Sequence, residues 1–303
     1  MLDFQLLEIP HDQLSLDYTL PSGQAFRWRK SPDGCWTGVT RNTVVRIRRT
    51  PEGFEWQTYP EPRDFDLIRD YFRLDDDIPT IYAALAAADE HLAAVIDRFK
   101  GLRLLRQDPT ETLLSFICSA ANSIPRISAS IEALSAIRGE HIVTLEGIDY
   151  HAFPTLPALA AADASQLEKT AGLGFRGPAL KNVARQILDR PEGWLESLRG
   201  KSYETAREEP LAIRGVGRKI ADCVCLFSLD KNEAVPVDTH VRQLAARLYL
   251  PDLKTKSITA ASYDRIANSF RERFGAYAGW AQQFLYYEDL LRSYRPGARR
   301  GLE

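Results

Sequence analysis

The sequence predicts an α+β chain: an N-terminal antiparallel β-sheet domain with flanking helices over residues 1–105, then an all-α region over residues 106–303. Two observations predict it. Up to about residue 60, short β-branched and aromatic runs alternate with Pro-x-Gly reversals, the pattern of a meander. Beyond about residue 64, apolar residues recur at helical spacing and almost nothing reads as a strand. A length of 303 residues allows two or three ordinary domains.

The elements follow in order. "QAFRWRK" (from Gln24), "CWTGVT" (from Cys35), "NTVVRIRRT" (from Asn42) and "GFEWQTY" (from Gly53) read as strands, with turns at "SPDG" and "TPEG". "DFDLIRDYFRL" and "PTIYAALAAADEHLAAVIDRF" read as helical, with Pro79 near a helix start. The border between the domains falls within roughly residues 75–108. "DPTETLLSFICSAAN" then opens with Asp108 as a cap and Pro109 in the first turn. "PRISASIEALSAI", "DASQLEKTAG", "ALKNVARQILD", "DTHVRQLAARLYL" and "AGWAQQFLYYEDLLRS" are further helices. No internal repeat is visible.

Composition narrows the class. The chain is 45% hydrophobic and 26% charged, a globular balance. No apolar run approaches the roughly 18 residues that span a bilayer, so no membrane role is expected. The start, "MLDFQLLEIPHDQ", has no secretory pattern, and the four cysteines are too scattered for a disulfide framework or a metal site built from four thiolates. An intracellular, reduced protein is expected. Net charge is −2 and gives no hint of nucleic acid. Residues 1–105 carry 13 Lys+Arg against 17 Asp+Glu, and the remainder carry 26 against 24. A basic face could therefore form in the second part. The arginine-rich tail "RSYRPGARR" reads equally as a solvated end or a contact arm.

The stretch "LAIRGVGRKIADCVCLF" (Leu211–Phe227) carries the chemistry. Gly215 and Gly217 flank one valine, and Lys219 follows. A nucleotide loop is excluded, because Ile220 follows the lysine and no strand precedes the glycines. A helix–glycine turn–helix hairpin over about residues 204–229 remains. The second helix's free N–H groups and positive dipole end would suit a phosphate. On the glycines alone, a plain helix–helix turn stays equally open. Asp238, in "VPVDTHV", sits where a helix N-cap belongs.

The combination "GVGRKIADC…VPVDTHV" resembles the helix-hairpin-helix DNA glycosylase superfamily, with its glycine-rich hairpin and its aspartate. "LPSGQAFRW", "SFICSAANSIPRI", "GLGFR" and "YAGWAQQFLYYEDL" further resemble, in order and over nearly the whole chain, segments of the 8-oxoguanine DNA glycosylases. That resemblance implies a base-excision enzyme acting on oxidised guanine in duplex DNA, preferably opposite cytosine, with lyase activity through a lysine Schiff base; the alternatives are a glycosylase/lyase for a different oxidised base and a non-catalytic helix-hairpin-helix module that only binds DNA. The base is flipped out of the duplex into a pocket. Lys219 would be the nucleophile, with its pKa brought down from about 10.4 by partial burial and the helix N-terminus. Asp238 would stabilise positive charge developing on the sugar. Superfamily members without lyase activity keep the aspartate and lack the lysine, so Lys219 points to the bifunctional type.

Other roles are implied by the same resemblance. Gly23 would offer its carbonyl to N7–H of the oxidised base, a hydrogen that normal guanine lacks. Gln282 would read the Watson–Crick edge, Tyr286 would stack on the base, and Cys223 would line the opposite wall. Tyrosine at 286 departs from the family's usual phenylalanine. Phe175 would intercalate, while Arg176 and Arg126 would hold the orphaned cytosine. Asn122 keeps one asparagine of the family's run. Ala121 stands where the family has the asparagine that fills the vacated stack, which implies looser opposite-base selectivity. His240 would touch a phosphate, as would Gly215, Gly217 and the Ile220 amide. Potassium or sodium at the hairpin carbonyls is expected, with no side-chain metal ligands. No iron–sulfur cluster is expected, because no cysteine follows Cys225. A monomer is expected.

Overall fold

The computed structural model describes residues 4–61, 63–169, 171–253 and 257–293. Strands β1 (Gln5–Leu7), β2 (Trp28–Lys30), β3 (Trp36–Thr40), β4 (Thr43–Thr50) and β5 (Gly53–Tyr59) form one antiparallel sheet in the order β1-β5-β4-β3-β2. β3 and β4 are joined at Arg41 and Asn42, both with positive φ (46° and 60°). That is the twist a two-residue hairpin loop needs. The strand expected from Gln24 begins only at Trp28. The Gln24 side chain is buried and donates to the carbonyls of Thr19 and Arg103, so this stretch is committed to loop contacts. Gly38 faces Trp28 across the ladder, and a Cβ there would lie 2.4 Å from the indole.

Helices α1 (Leu16–Thr19) and α2 (Phe65–Tyr71) supply buried apolar residues to the sheet's core. The Trp28 indole donates to the Tyr71 hydroxyl at 2.7 Å. The next apolar stretch forms two helices, α3 (Ile78–Ala88) and α4 (Glu90–Arg98). Asp89 is extended and caps α4 by accepting from Leu92 N–H at 2.8 Å. Their buried faces join the helical core rather than that of the sheet.

The rest comprises α5 (Pro109–Ile117), α6 (Ile124–Arg138), strands β6 (His141–Leu145) and β7 (Ile148–His151), then α7 (Leu156–Ala161), α8 (Ala164–Lys169), α9 (Arg176–Leu188), α10 (Trp194–Ser197), α11 (Tyr203–Leu211), α12 (Arg218–Ser228), α13 (Thr239–Leu248), α14 (Ala260–Phe274) and α15 (Ala278–Ser293). The β6–β7 hairpin corrects the expectation of a strand-free second part. It turns through Glu146 and Gly147, both with positive φ, and its residues are exposed or half-buried. Without a buried face it leaves little apolar alternation to read. Helix α14 is likewise an addition to the helices expected from the sequence. Among the described residues, no helix is long and apolar enough to cross a membrane. Most of the arginine-rich tail, residues 294–300, lies outside the described residues.

Two seams join sheet and helices. The Arg106 guanidinium donates to Asp70 (2.6 Å) and Asp230 (2.8 Å). Gln107 N–H donates to the Phe227 carbonyl at 2.8 Å, tying the interdomain segment to the end of α12.

Candidate active site and DNA interface

The expected hairpin is present: α11, a turn through Gly215 and Gly217, then α12. The two glycines have different reasons. Gly215 has φ +109°, a conformation that L side chains rarely adopt. Gly217 is the N-cap of α12 at φ −94°, and a Cβ there would meet nothing within 4 Å. Its own backbone does not require glycine, and it opens onto the cleft, where a Cβ would obstruct close approach to the helix N-terminus.

Lys219 is the second residue of α12 and is half-buried. Its Nζ lies 3.2 Å from Ser119 Oγ, on the loop after α5, and 4.6 Å from the centre of the Phe116 ring. Phe116 stacks on Phe227 at 5.7 Å, so the amine rests on an aromatic slab. Asp238 caps α13, its Oδ1 accepting from Val241 N–H at 2.9 Å. The cap and the cleft position coexist: Asp238 and Lys219 both line a cleft of about 1110 Å³.

Adjoining that cleft is an inner pocket of about 30 Å³, lined by Gly23, Lys219, Cys223, Asp238, Gln282, Gln283 and Tyr286 together with apolar neighbours. The structure thus brings together every residue expected for catalysis and base recognition. Burial pushes the Cys223 thiol up to about 12, so it is a neutral wall at physiological pH. The Gln282 side-chain oxygen is buried and has no hydrogen-bond partner among the described residues. An orphaned buried acceptor costs about 1–3 kcal/mol, which a ligand donor would recover. Gly23 has φ +81°, and a Cβ there would lie 3.1 Å from Ile124 and 3.3 Å from the Tyr286 ring. Any larger residue would be strained and would press on the pocket.

On the rim the expected residues are arranged differently. Phe175 is 68% exposed, with the Arg176 guanidinium 4.4 Å from its ring. Arg176 donates to the carbonyls of Ala120 and Ala121, joining the Gly172–Gly174 turn to the loop after α5. Asn122 donates to the Cys118 carbonyl and caps the end of α5. Arg126 is exposed on the first turn of α6 and does not line the cleft. Ala121 has φ +48°, a left-handed conformation in which asparagine is favoured over alanine. Ile220 and His240 line the cleft, whereas Gly215 does not. His240 bonds to Asp289 at 3.2 Å, and that bond lifts its pKa above the ordinary value.

Sequence reasoning missed the support behind α12. Arg218, beside Lys219 at the start of α12, pairs with Asp264 of α14 at 2.8 Å. Asp222 is fully buried and accepts from the hydroxyls of Tyr203 (2.6 Å) and Tyr263 (2.5 Å), with Arg207 at 3.1 Å. Burial raises its pKa, although Arg207 and both hydroxyls favour the carboxylate. Tyr263 Oη also accepts from Val237 N–H at 3.2 Å, next to Asp238. The available signal was an acid inside an apolar run, "IADCVCLF". Ser119 and Phe116 carried no signal that would have placed them beneath Lys219.

Residues 6–113 match the family model of the 8-oxoguanine DNA glycosylase N-terminal domain, and residues 114–269 match that of the HhH-GPD superfamily of base-excision DNA repair proteins. An N-glycosylase/DNA lyase of Arabidopsis thaliana is 33% identical, over 94% of this chain and 80% of that protein. The chain belongs to the 8-oxoguanine DNA glycosylase family. The N-glycosylase/DNA lyase of Saccharomyces cerevisiae is 30% identical, over 95% of this chain and 86% of its own length. The 8-oxoguanine glycosylase/lyase of Clostridium acetobutylicum, solved with double-stranded DNA holding cytosine opposite 8-oxoguanine, superposes with a TM-score of 0.82. It is 32% identical and covers 93% of each chain. This family member therefore carries both parts of the architecture, sheet domain and hairpin region, in one chain.

Proposed function

We propose that this protein excises 8-oxoguanine from duplex DNA and then cleaves the strand as a lyase, with Lys219 as nucleophile. The observation that carries the reading is the inner pocket, where Lys219 and Asp238 share walls with Gly23, Cys223, Gln282 and Tyr286. The neutral Lys219 amine donates its lone pair to C1′ as the bond from C1′ to the base nitrogen breaks. The departing base takes the bonding electrons and then a proton; Nζ, now bonded to C1′, loses a proton, and its lone pair forms the C1′=Nζ bond of the Schiff base as the C1′–O4′ bond breaks and O4′ takes a proton. Loss of a C2′ proton then expels the 3′ phosphate. Asp238 stabilises the positive charge that builds on the sugar.

Gly23 distinguishes the lesion by accepting from N7–H; normal guanine presents an acceptor there, and the unmet bond is worth about 1–3 kcal/mol. Gln282 supplies its unpartnered oxygen to the Watson–Crick edge, and Tyr286 stacks on the ring. Phe175 enters the duplex, and Arg176 and Arg126 turn to the orphaned cytosine. Cytosine is the preferred partner, with selectivity loosened by Ala121. His240, Gly217 and Ile220 hold the phosphates that flank the flipped nucleotide. Main-chain carbonyls of the hairpin turn are hard oxygen donors that would suit potassium or sodium. Among the described residues, no group of three His, Cys, Asp or Glu could hold a metal.

Borohydride should trap the wild-type protein covalently on duplex DNA containing 8-oxoguanine opposite cytosine. Lys219→Gln should abolish the adduct. Trapping that survives in Lys219→Gln, or wild type that never traps, would remove Lys219 from this role.

A further inference from the structure

The carbonyl of Gly23 sits between two carbonyls that are both held. Gln283 of α15 donates from Nε2 to the Ser22 carbonyl at 3.0 Å. Gln107, in the interdomain segment, donates from Nε2 to the Gln24 carbonyl at 2.7 Å. The Gly23 carbonyl itself accepts no hydrogen bond from the described residues. The rest of the turn is fastened from below. Ser22 Oγ donates to the Thr19 carbonyl, and Gln24 Nε2 donates to the Arg103 carbonyl while its oxygen accepts from Leu105 N–H. Ser22, Gln24 and Gln283 are at most 1% exposed.

We infer that Gln283 and Gln107 are positioning residues that aim the Gly23 carbonyl, and that they set discrimination between oxidised and normal guanine. With a peptide plane held on each side, the turn keeps its conformation and the middle carbonyl has no donor among the described residues. It is kept for the ligand, without reorganisation when the base arrives. The two donors come from elements already tied to the site. Gln283 follows Gln282 directly on α15, so one helix sets both the edge reader and the N7 reader. Gln107 is bonded through its own N–H to Phe227, part of the aromatic slab beneath Lys219.

The inference rests on the proposed excision of 8-oxoguanine, and the test separates the two. Gln283→Met and Gln107→Met keep approximate volume and remove the donors. Each is compared with wild type for single-turnover excision of 8-oxoguanine opposite cytosine and for β-elimination at a preformed abasic site, which has no base to recognise. The expected result is excision about tenfold slower, the scale of one misplaced hydrogen bond, with β-elimination within about twofold of wild type. Intact lyase activity certifies the fold of each variant. Equal losses in both assays would show that the glutamines merely hold the structure, and unchanged excision would show that the carbonyl is aimed without them; either overturns the inference. Wild type that β-eliminates at abasic sites yet excises no 8-oxoguanine would instead overturn the substrate reading on which the clamp depends.

Discussion

The inner pocket and the rim of the cleft differ in how far each is assembled without DNA. In the pocket, Lys219 lies on Phe116, Gly23 is locked in its turn, Cys223 is buried and the Gln282 oxygen has no partner among the described residues. On the rim, Phe175 projects into solvent, and Arg176 and Asn122 spend their hydrogen bonds on nearby carbonyls. Chemistry needs groups held to fractions of an ångström before substrate arrives. A duplex grip must instead exchange protein contacts for nucleic-acid contacts as the helix opens. The comparison teaches that the proposed catalytic groups are prebuilt here, whereas the proposed cytosine grip would require the rim to rearrange.

The largest effect that would break this contrast concerns Asp238. Asparagine caps a helix as well as aspartate, so Asp238→Asn should leave the melting temperature nearly unchanged. Excision should fall by on the order of 10²–10³ through loss of the charge, as measured in single-turnover assays. Asp238→Ala should lose comparable activity and also about 1 kcal/mol of stability in a denaturant titration. Equal activity in Asn and wild type would reduce Asp238 to a cap.

Next in size is the rim. Phe175→Ala should leave thermal unfolding unchanged, because the ring is 68% exposed. Excision from duplex should fall by about tenfold, on the scale of a lost stacking contact with a base. A comparable loss on a single-stranded lesion would mean that the ring does not serve duplex opening.

A smaller effect should appear in pH dependence. The bond to Asp289, with the charges of Asp238 and Asp289, raises the His240 pKa, so its cation persists further into the neutral range than in a free histidine. The stability this contributes is fully present below the unfolded value of about 6.5 and is lost as pH rises through the raised folded value. Phosphate attraction should weaken over the same interval. His240→Gln should flatten the pH dependence of DNA affinity above about pH 6.5, a change of a few-fold by fluorescence anisotropy.

The smallest effect tests Ala121 on the rim. Ala121→Asn should raise stability by up to about 1 kcal/mol, since asparagine tolerates the left-handed backbone at φ +48° better than alanine. The same variant should sharpen the preference for cytosine over the other opposite bases. A panel of four duplexes with unchanged ratios would sever Ala121 from opposite-base choice.

Legibility followed the same division. The hairpin, the Asp238 cap and the helix faces were readable because turn chemistry, capping and periodicity are local. The break at Asp89 was harder to place, since the extended backbone of one cap interrupts an otherwise continuous apolar pattern. The β6–β7 hairpin escaped notice because its strands lack a buried face. Arg218 offers no local signal, because its partner, Asp264, is 46 residues away on α14, a helix that only the structure revealed.

By itself, the sequence determined the order of sheet and helices, the two glycines, the position of Lys219 at a helix start and that of Asp238 at another. It also carried, through five resembling segments in order, the identity of the family. Only the tertiary structure decided that Gly23, from the turn before β2, and Gln282, from α15, meet at the pocket that holds Lys219. Only it showed the two glutamine amides that hold the carbonyls on either side of Gly23, and the Asp222 network behind Lys219. The physical reason is range. Capping and turn preferences act over a few residues, whereas Gln283 reaches Ser22 across 261 positions, a contact set by packing of the whole core.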